Sequence, residues 1–197
     1  PNAQIRRAYA NYLDGNFNVA VLTIDEFVKQ YPYHKDVPYM YYLKGLCYYD
    51  QIVDVGRDQD LTYKAINALS ELVERFPNSV YAKDSKLKLE YAVNNLAGKE
   101  MEIGRFYLKK NNLISALGRF NTVVERFQTS IFTPEALFRL AEIHYAMGDL
   151  EQAQKFTAVL GHNYPSDEWY KRAYALMNDE SYEETGSWFN KQLKKIW

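Results

Sequence analysis

Residues 60–77 read DLTYKAINALSELVERFP. Ala65, Leu69, Leu72 and Phe76 stand at offsets 0, 4, 7 and 11, which is one stripe along a helix. Pro77 follows and cannot continue that helix. Three other stretches repeat the pattern. Ala20, Ala116 and Ala153 take the place of Ala65, followed at offset 4 by Ile24, Phe120 and Thr157. At offset 7 come Phe27, Val123 and Leu160, and at offset 11 Tyr31, Phe127 and Tyr164. Pro32 and Pro165 close two of them, whereas Gln128 stands in the third. Five residues before each alanine lies a turn former or helix starter: Gly15, Asp60, Asn111 or Gly148.

Each column has a mechanical reason. The alanine is small enough to let a neighbouring helix approach, and the other three positions bury a continuous apolar edge. A partner helix precedes each unit, at 3–14, 37–51, 99–110 and 134–147, with a small residue at the point of approach: Ala8, Gly45, Gly104 or Ala141. A tyrosine follows three or four residues later (Tyr12, Tyr48, Tyr107, Tyr145). The start Thr133-Pro134-Glu135 predicts an N-cap, a proline at the first helical position and an acid in the first turn. Paired helices with a small residue, an aromatic and a closing proline resemble the tetratricopeptide repeat. The expected fold is therefore all-α, a tetratricopeptide-repeat solenoid built as a right-handed superhelix of antiparallel helix pairs.

The alanines are 45, 51 and 37 residues apart, against about 34 in an ideal repeat. The first excess falls in IVDVGRDQD, residues 52–60, which reads as a polar loop. The second falls in 80–97, where Leu87, Tyr91 and Leu96 keep helical spacing. One long helix over 80–110 is expected, with Gly98 its weak point. Beyond Pro165 the sequence predicts helices at 167–178 and near 187–196. The whole reads as one array, with N-terminal repeats in 1–97 and C-terminal repeats and closing helices in 98–197.

Chemistry is hard to find in this chain. Of 197 residues, 24 are Lys or Arg and 25 Asp or Glu, so the net charge of −1 supplies no field for nucleic acid. No apolar run approaches the roughly 20 residues of a membrane span. The single cysteine, Cys47, excludes an internal disulfide and reads as a buried inert thiol. His34, His144 and His162 are scattered without metal-ligand spacing, and His144 reads as a hydrogen-bonded structural histidine. No phosphate-cradling loop, nucleotide fingerprint or nucleophile elbow is present. Asp54, Asp58 and Asp60 lack the glycine and the bidentate glutamate of a calcium loop, so Asp60 reads as a helix cap. The expectation is a non-enzyme without cofactor or metal.

The order of irregularities narrows the family. FVKQYPYHKDVPYMYYLKGLCYY (27–49), DVGRDQD (54–60) and FPNSVYAKDSKLKLEYAVNNLAGKEMEIGRFYLKKNNLISAL (76–117) follow one another. A helix pair, a polar Arg-Asp loop, a PNS turn and a long helix in that order resemble the BamD (YfiO/ComL) family of outer-membrane assembly lipoproteins, over roughly residues 1–178. The resemblance implies a non-enzymatic scaffold of the β-barrel assembly (BAM) complex, on the periplasmic face of the outer membrane of a Gram-negative bacterium. It implies binding to a POTRA domain of BamA, to other BAM components and to unfolded outer-membrane proteins. It also implies a lipid anchor and most of a first repeat upstream of residue 1, the anchor being the chain's tie to the membrane. On alignment the BamA-contacting arginine of the family falls at Arg119, three residues after the packing alanine. Gln128, where this repeat lacks its proline, predicts a different local turn.

Two further surfaces invite partners. The chain holds 18 tyrosines, and aromatics make up 16% of it. Tyr9, Tyr12, Tyr41, Tyr42, Tyr48 and Tyr49 lie on the first helices of the early pairs, which line the concave side of such arrays and leave room for an extended peptide. The tail TGSWFNKQLKKIW sets Trp188, Phe189 and Trp197 against Lys191, Lys194 and Lys195. It reads as a closing helix with one wet face, with docking to BamA or the membrane interface as the other use. The competing identity is another periplasmic repeat adaptor of the cell-envelope or division type, whose evenly spaced repeats differ from the 45 and 51 found here. A co-chaperone clamp is disfavoured because Ile5 and Tyr9 occupy the positions where such a clamp needs cations and amides.

Overall fold

The computed structural model describes residues 1–52 and 59–178, and these are helical apart from short turns. In chain order the helices are α1 (Asn2–Leu13), α2 (Phe17–Gln30), α3 (Val37–Tyr49), α4 (Gln59–Arg75) and α5 (Ala82–Lys109). They continue with α6 (Leu113–Arg126), α7 (Thr133–Ala146), α8 (Leu150–Asn163) and α9 (Glu168–Met177). Neighbours pack in pairs: α1 on α2, α3 on α4 and α7 on α8. The chain is all-α and of the tetratricopeptide type. Two compact units form, Pro1–Leu96 and Ala97–Trp197. The expected helix near 187–196, with Trp188, Phe189 and Trp197, lies outside the described residues, as do Asp54 and Asp58.

The four aligned alanines, Ala20, Ala65, Ala116 and Ala153, are each completely buried. So are Phe27, Leu72, Val123 and Leu160 at offset 7. In two pairs the small residue of the partner helix receives the side chain at offset 4. Leu69 lies across Gly45, and a Cβ on Gly104 would stand 2.5 Å from the Phe120 ring. At Gly15, Asn111 and Gly148 the chain takes positive φ (73°, 60° and 81°), which reverses it between the two helices of a pair.

The junctions between pairs share one hydrogen-bond pattern. At offset 11 the N–H of Tyr31, Phe76, Phe127 and Tyr164 donates to the offset-7 carbonyl. The offset-11 carbonyl then accepts from His34, Ser79, Ser130 and Asp167, at 2.9–3.0 Å. Gln128 does not change this turn. Phe127 has φ −126° and ψ 42°, close to Tyr31 (−132°, 59°) and Tyr164 (−135°, 53°), each of which precedes a proline. The Thr133 hydroxyl also donates to the Phe127 carbonyl at 3.0 Å. That hydroxyl therefore closes the preceding turn and does not cap α7, contrary to the sequence expectation. α5 runs through Gly98 unbroken, and a Cβ there would stand 3.1 Å from Phe132.

Candidate protein-binding surfaces

In the N-terminal unit the tyrosines of α3 divide between two sides of the helix. Tyr41 is only 6% exposed. Its ring meets Phe76 at 5.8 Å, the Arg75 guanidinium lies 5.0 Å above it, and its hydroxyl accepts from Arg75. Tyr42, one residue on and about 100° around the helix, faces the other way. Its hydroxyl donates to Asp84 Oδ2 at 2.6 Å, and its ring stacks on Tyr81 at 5.1 Å. The Tyr39 ring also meets Tyr81, at 5.5 Å. Tyr41 therefore belongs to the core and leaves the proposed groove. A sequence stripe could not separate the two rings, because tyrosine suits both a packed and a wet side.

The Tyr42 side continues across neighbouring helices. On α1, Tyr9 and Tyr12 stack at 6.3 Å, and the Tyr12 hydroxyl donates to Asp50 Oδ2 at 2.5 Å. Asp84 also pairs with Lys88 at 3.1 Å, and the Lys88 ammonium sits 5.4 Å from the Tyr49 ring centre. Tyr49 meets Tyr91 edge-on at 6.5 Å. Tyr9 is 45% exposed and Tyr91 58%, whereas Tyr12, Tyr42 and Tyr49 are half-buried; Tyr48, two turns after Tyr41 on α3, lies on the Tyr41 side and leaves the groove with it. Both hydrogen-bonded phenols are pushed well above the ordinary tyrosine range. For Tyr12 the Asp50 hydrogen bond is the main cause; for Tyr42 it is burial, then the bond to Asp84. The Tyr42 hydroxyl in turn holds the Asp84 carboxyl below its usual range. Asp50 and Asp84 thus fix the tilt of two rings in a face of phenols.

Sequence reading missed Tyr39, Tyr81 and Tyr91. Tyr81 had a usable signal. At offset 16 from the aligned alanines stand Tyr81, Phe132 and Trp169, with Asp36 in the first repeat. Each aromatic turns back onto the first helix of the preceding pair. Tyr81 stacks on α3, Phe132 covers Gly98 on α5, and Trp169 meets Phe138 on α7 at 5.3 Å.

The C-terminal unit gathers its charges around these aromatics. Arg105 on α5 grips the Glu135 carboxylate with two nitrogens, Nε at 3.0 Å and Nη2. Glu135 also pairs with Arg139 at 3.4 Å, and Arg139 reaches Glu142 at 2.9 Å. Glu142 is completely buried and Glu135 nearly so, and such carboxylates persist only when paired. The Arg139 guanidinium lies 5.4 Å from the Trp169 ring centre. Arg119 on α6 is arranged differently. Its Nη1 donates to Glu100 Oε2 on α5 at 3.0 Å, while its side chain stays 42% exposed and that of Glu100 only 14%. Beside it Gly118 opens onto empty space, and Ile114, one turn earlier, is 70% exposed.

Other candidates resolve as structure. Cys47 is fully buried, and burial pushes its thiol up to about 12. His144 lies 3.3 Å from Asp149 and stacks on Phe156 at 5.6 Å. Asp60 sits in the first turn of α4 and pairs with Lys64 at 2.7 Å. Among the described residues no group of three or more His, Cys, Asp or Glu could hold a metal ion. Among the same residues no helix is long and apolar enough to cross a membrane.

Known proteins fix the family. A family model described as YfiO, outer membrane lipoprotein, matches residues 1–160. The chain belongs to this family. The "Outer membrane protein assembly factor BamD" of Caulobacter vibrioides is 48% identical over 171 residues, 87% of this chain and 56% of that protein. The protein of the same name from Rickettsia prowazekii is 42% identical over 179 residues, 91% of this chain and 71% of the relative. A third family member, from Xylella fastidiosa, is 33% identical over 86% of the chain and 61% of its own length. The chain thus spans a little over half of the Caulobacter family member.

Proposed function

We propose that the chain is a non-enzymatic scaffold for outer-membrane protein assembly, tied to the membrane by a lipid anchor upstream and acting on the periplasmic face. Membership of the outer-membrane lipoprotein family and the names of its relatives support the assembly role. The partner on the α6 side is a POTRA domain of BamA, in a complex with other assembly components. The arrangement of Arg119 carries this reading. A half-exposed guanidinium that spends one N–H on Glu100 keeps further donors for a carboxylate on a partner, and the fork geometry of arginine suits that contact.

The second contact is with unfolded outer-membrane proteins along the face of Tyr9, Tyr12, Tyr42 and Tyr49. Phenol rings held at fixed tilt offer flat apolar area at little entropic cost, which favours extended aromatic segments. The test is recovery of the chain on the immobilised periplasmic domains of BamA from the same organism. Arg119→Glu, which sets a carboxylate against the partner's, should lose most of the wild-type recovery. Equal recovery of the two removes Arg119 from the interface.

A further inference from the structure

The contrast between two arginines on neighbouring helices carries one step more. Arg105 closes on Glu135 with two nitrogens, and Glu135 is shared with Arg139, so that fork is committed inside the unit. Arg119 makes one hydrogen bond among the described residues, through Nη1 to Glu100. A guanidinium carries five donors, so most of its fork stays outside that bond. Glu100 is the anchored member of the pair, with a side chain 14% exposed on the long helix α5, whereas that of Arg119 is 42% exposed.

Packing between α5 and α6 does not need the pair. Ala116, Phe120 and Val123 are completely buried, and Phe120 already seats against Gly104. An ion pair whose arginine stays 42% exposed adds little to stability. What the bond does fix is direction: a long, flexible side chain is held by one nitrogen and aimed outward before any partner arrives. We infer that Glu100 is a positioning residue for Arg119, pre-orienting its guanidinium to receive a carboxylate of the partner. This rests on the reading of Arg119 as a partner contact, and it assigns Glu100 a part in recognition that its own burial hides from the partner. Ordering the arginine in the free protein lowers what association must supply.

The experiment is a double-mutant cycle against the periplasmic domains of BamA from the same organism. Dissociation constants and melting temperatures are measured for wild type, Glu100→Ala, Arg119→Ala and the double variant. Glu100→Ala should weaken binding about fivefold, with little change in melting temperature and no further effect once Arg119 is gone. Glu100→Gln, which keeps an acceptor oxygen, should recover part of the loss. Unchanged or tighter binding by Glu100→Ala overturns the inference, as does an equal loss in the Arg119→Ala background. Wild-type affinity in Arg119→Ala overturns the underlying site instead.

Discussion

The ring of Phe120 lies so close over Gly104 that an added methyl would stand 2.5 Å from it. Phe120 is completely buried and has no room to retreat. Gly104→Ala should therefore lower stability by about 1–3 kcal/mol, even though alanine is the better helix former. Gly118 on the facing helix meets nothing within 4 Å, so Gly118→Ala should raise stability by about 0.8–1 kcal/mol. Urea denaturation of the two variants checks the opposite signs.

Replacing Gln128 by proline should stabilise the chain. The residue before it already has the φ and ψ of the residues that precede Pro32 and Pro165, and Gln128 itself is exposed. The gain comes from fewer conformations of the unfolded chain and should be about 0.4–1 kcal/mol. A rise in the thermal midpoint is the expected result, and a fall would mean the Gln128 N–H has a bond that proline removes.

Tyr41 and Tyr9 should separate by stability. Tyr41→Ala removes a buried ring from between Arg75 and Phe76 and should cost about 3–5 kcal/mol. Tyr9→Ala trims a half-exposed ring and should stay within about 0.5 kcal/mol of wild type. Thermal melts decide this, and only the second variant is a clean probe of peptide binding.

Tyr12 and Tyr42 should be the last phenols of the described residues to ionise. Both have folded values raised above the ordinary 10, so the folded state holds protons there that the unfolded state has lost. That stability is complete below pH 10 and falls as pH rises beyond it. Asp84 behaves oppositely: its depressed value stabilises the fold above the usual carboxylate range and is lost as pH falls through the folded value. Ultraviolet titration of tyrosinate absorbance should show a late phase that shrinks by one phenol in Tyr42→Phe. The same variant should also unfold less steeply in acid than wild type, because Asp84 no longer has its phenol partner.

The helix pairs were legible because their rule is local. An alanine, apolar positions at helical spacing (Thr157 being the one polar exception) and a turn former five residues upstream settle each second helix, and all four alanines are completely buried. Gly45 and Gly104 could be read as points of close approach for the same reason. The binding faces were less legible. Tyr41 and Tyr42 are chemically identical neighbours, and only the positions of Phe76 and Asp84 decide which ring is core. Thr133 resembled a cap because sequence spacing does not reveal that its hydroxyl reaches back six residues to Phe127. The Glu100–Arg119 pair joins residues on different helices, so no one-helix pattern could have announced it.

The aromatics that follow each junction alter how the chain can be cut. Tyr81, Phe132 and Trp169 stand beyond the turns that end their own repeats, yet each seals the first helix of the pair before. A fragment trimmed at Phe127 would strip the cover from Gly98, and one trimmed at Tyr164 would bare Phe138 and Arg139. Expression boundaries for shortened versions belong after these rings, because the piece that can stand alone is staggered from the piece that the alignment repeats.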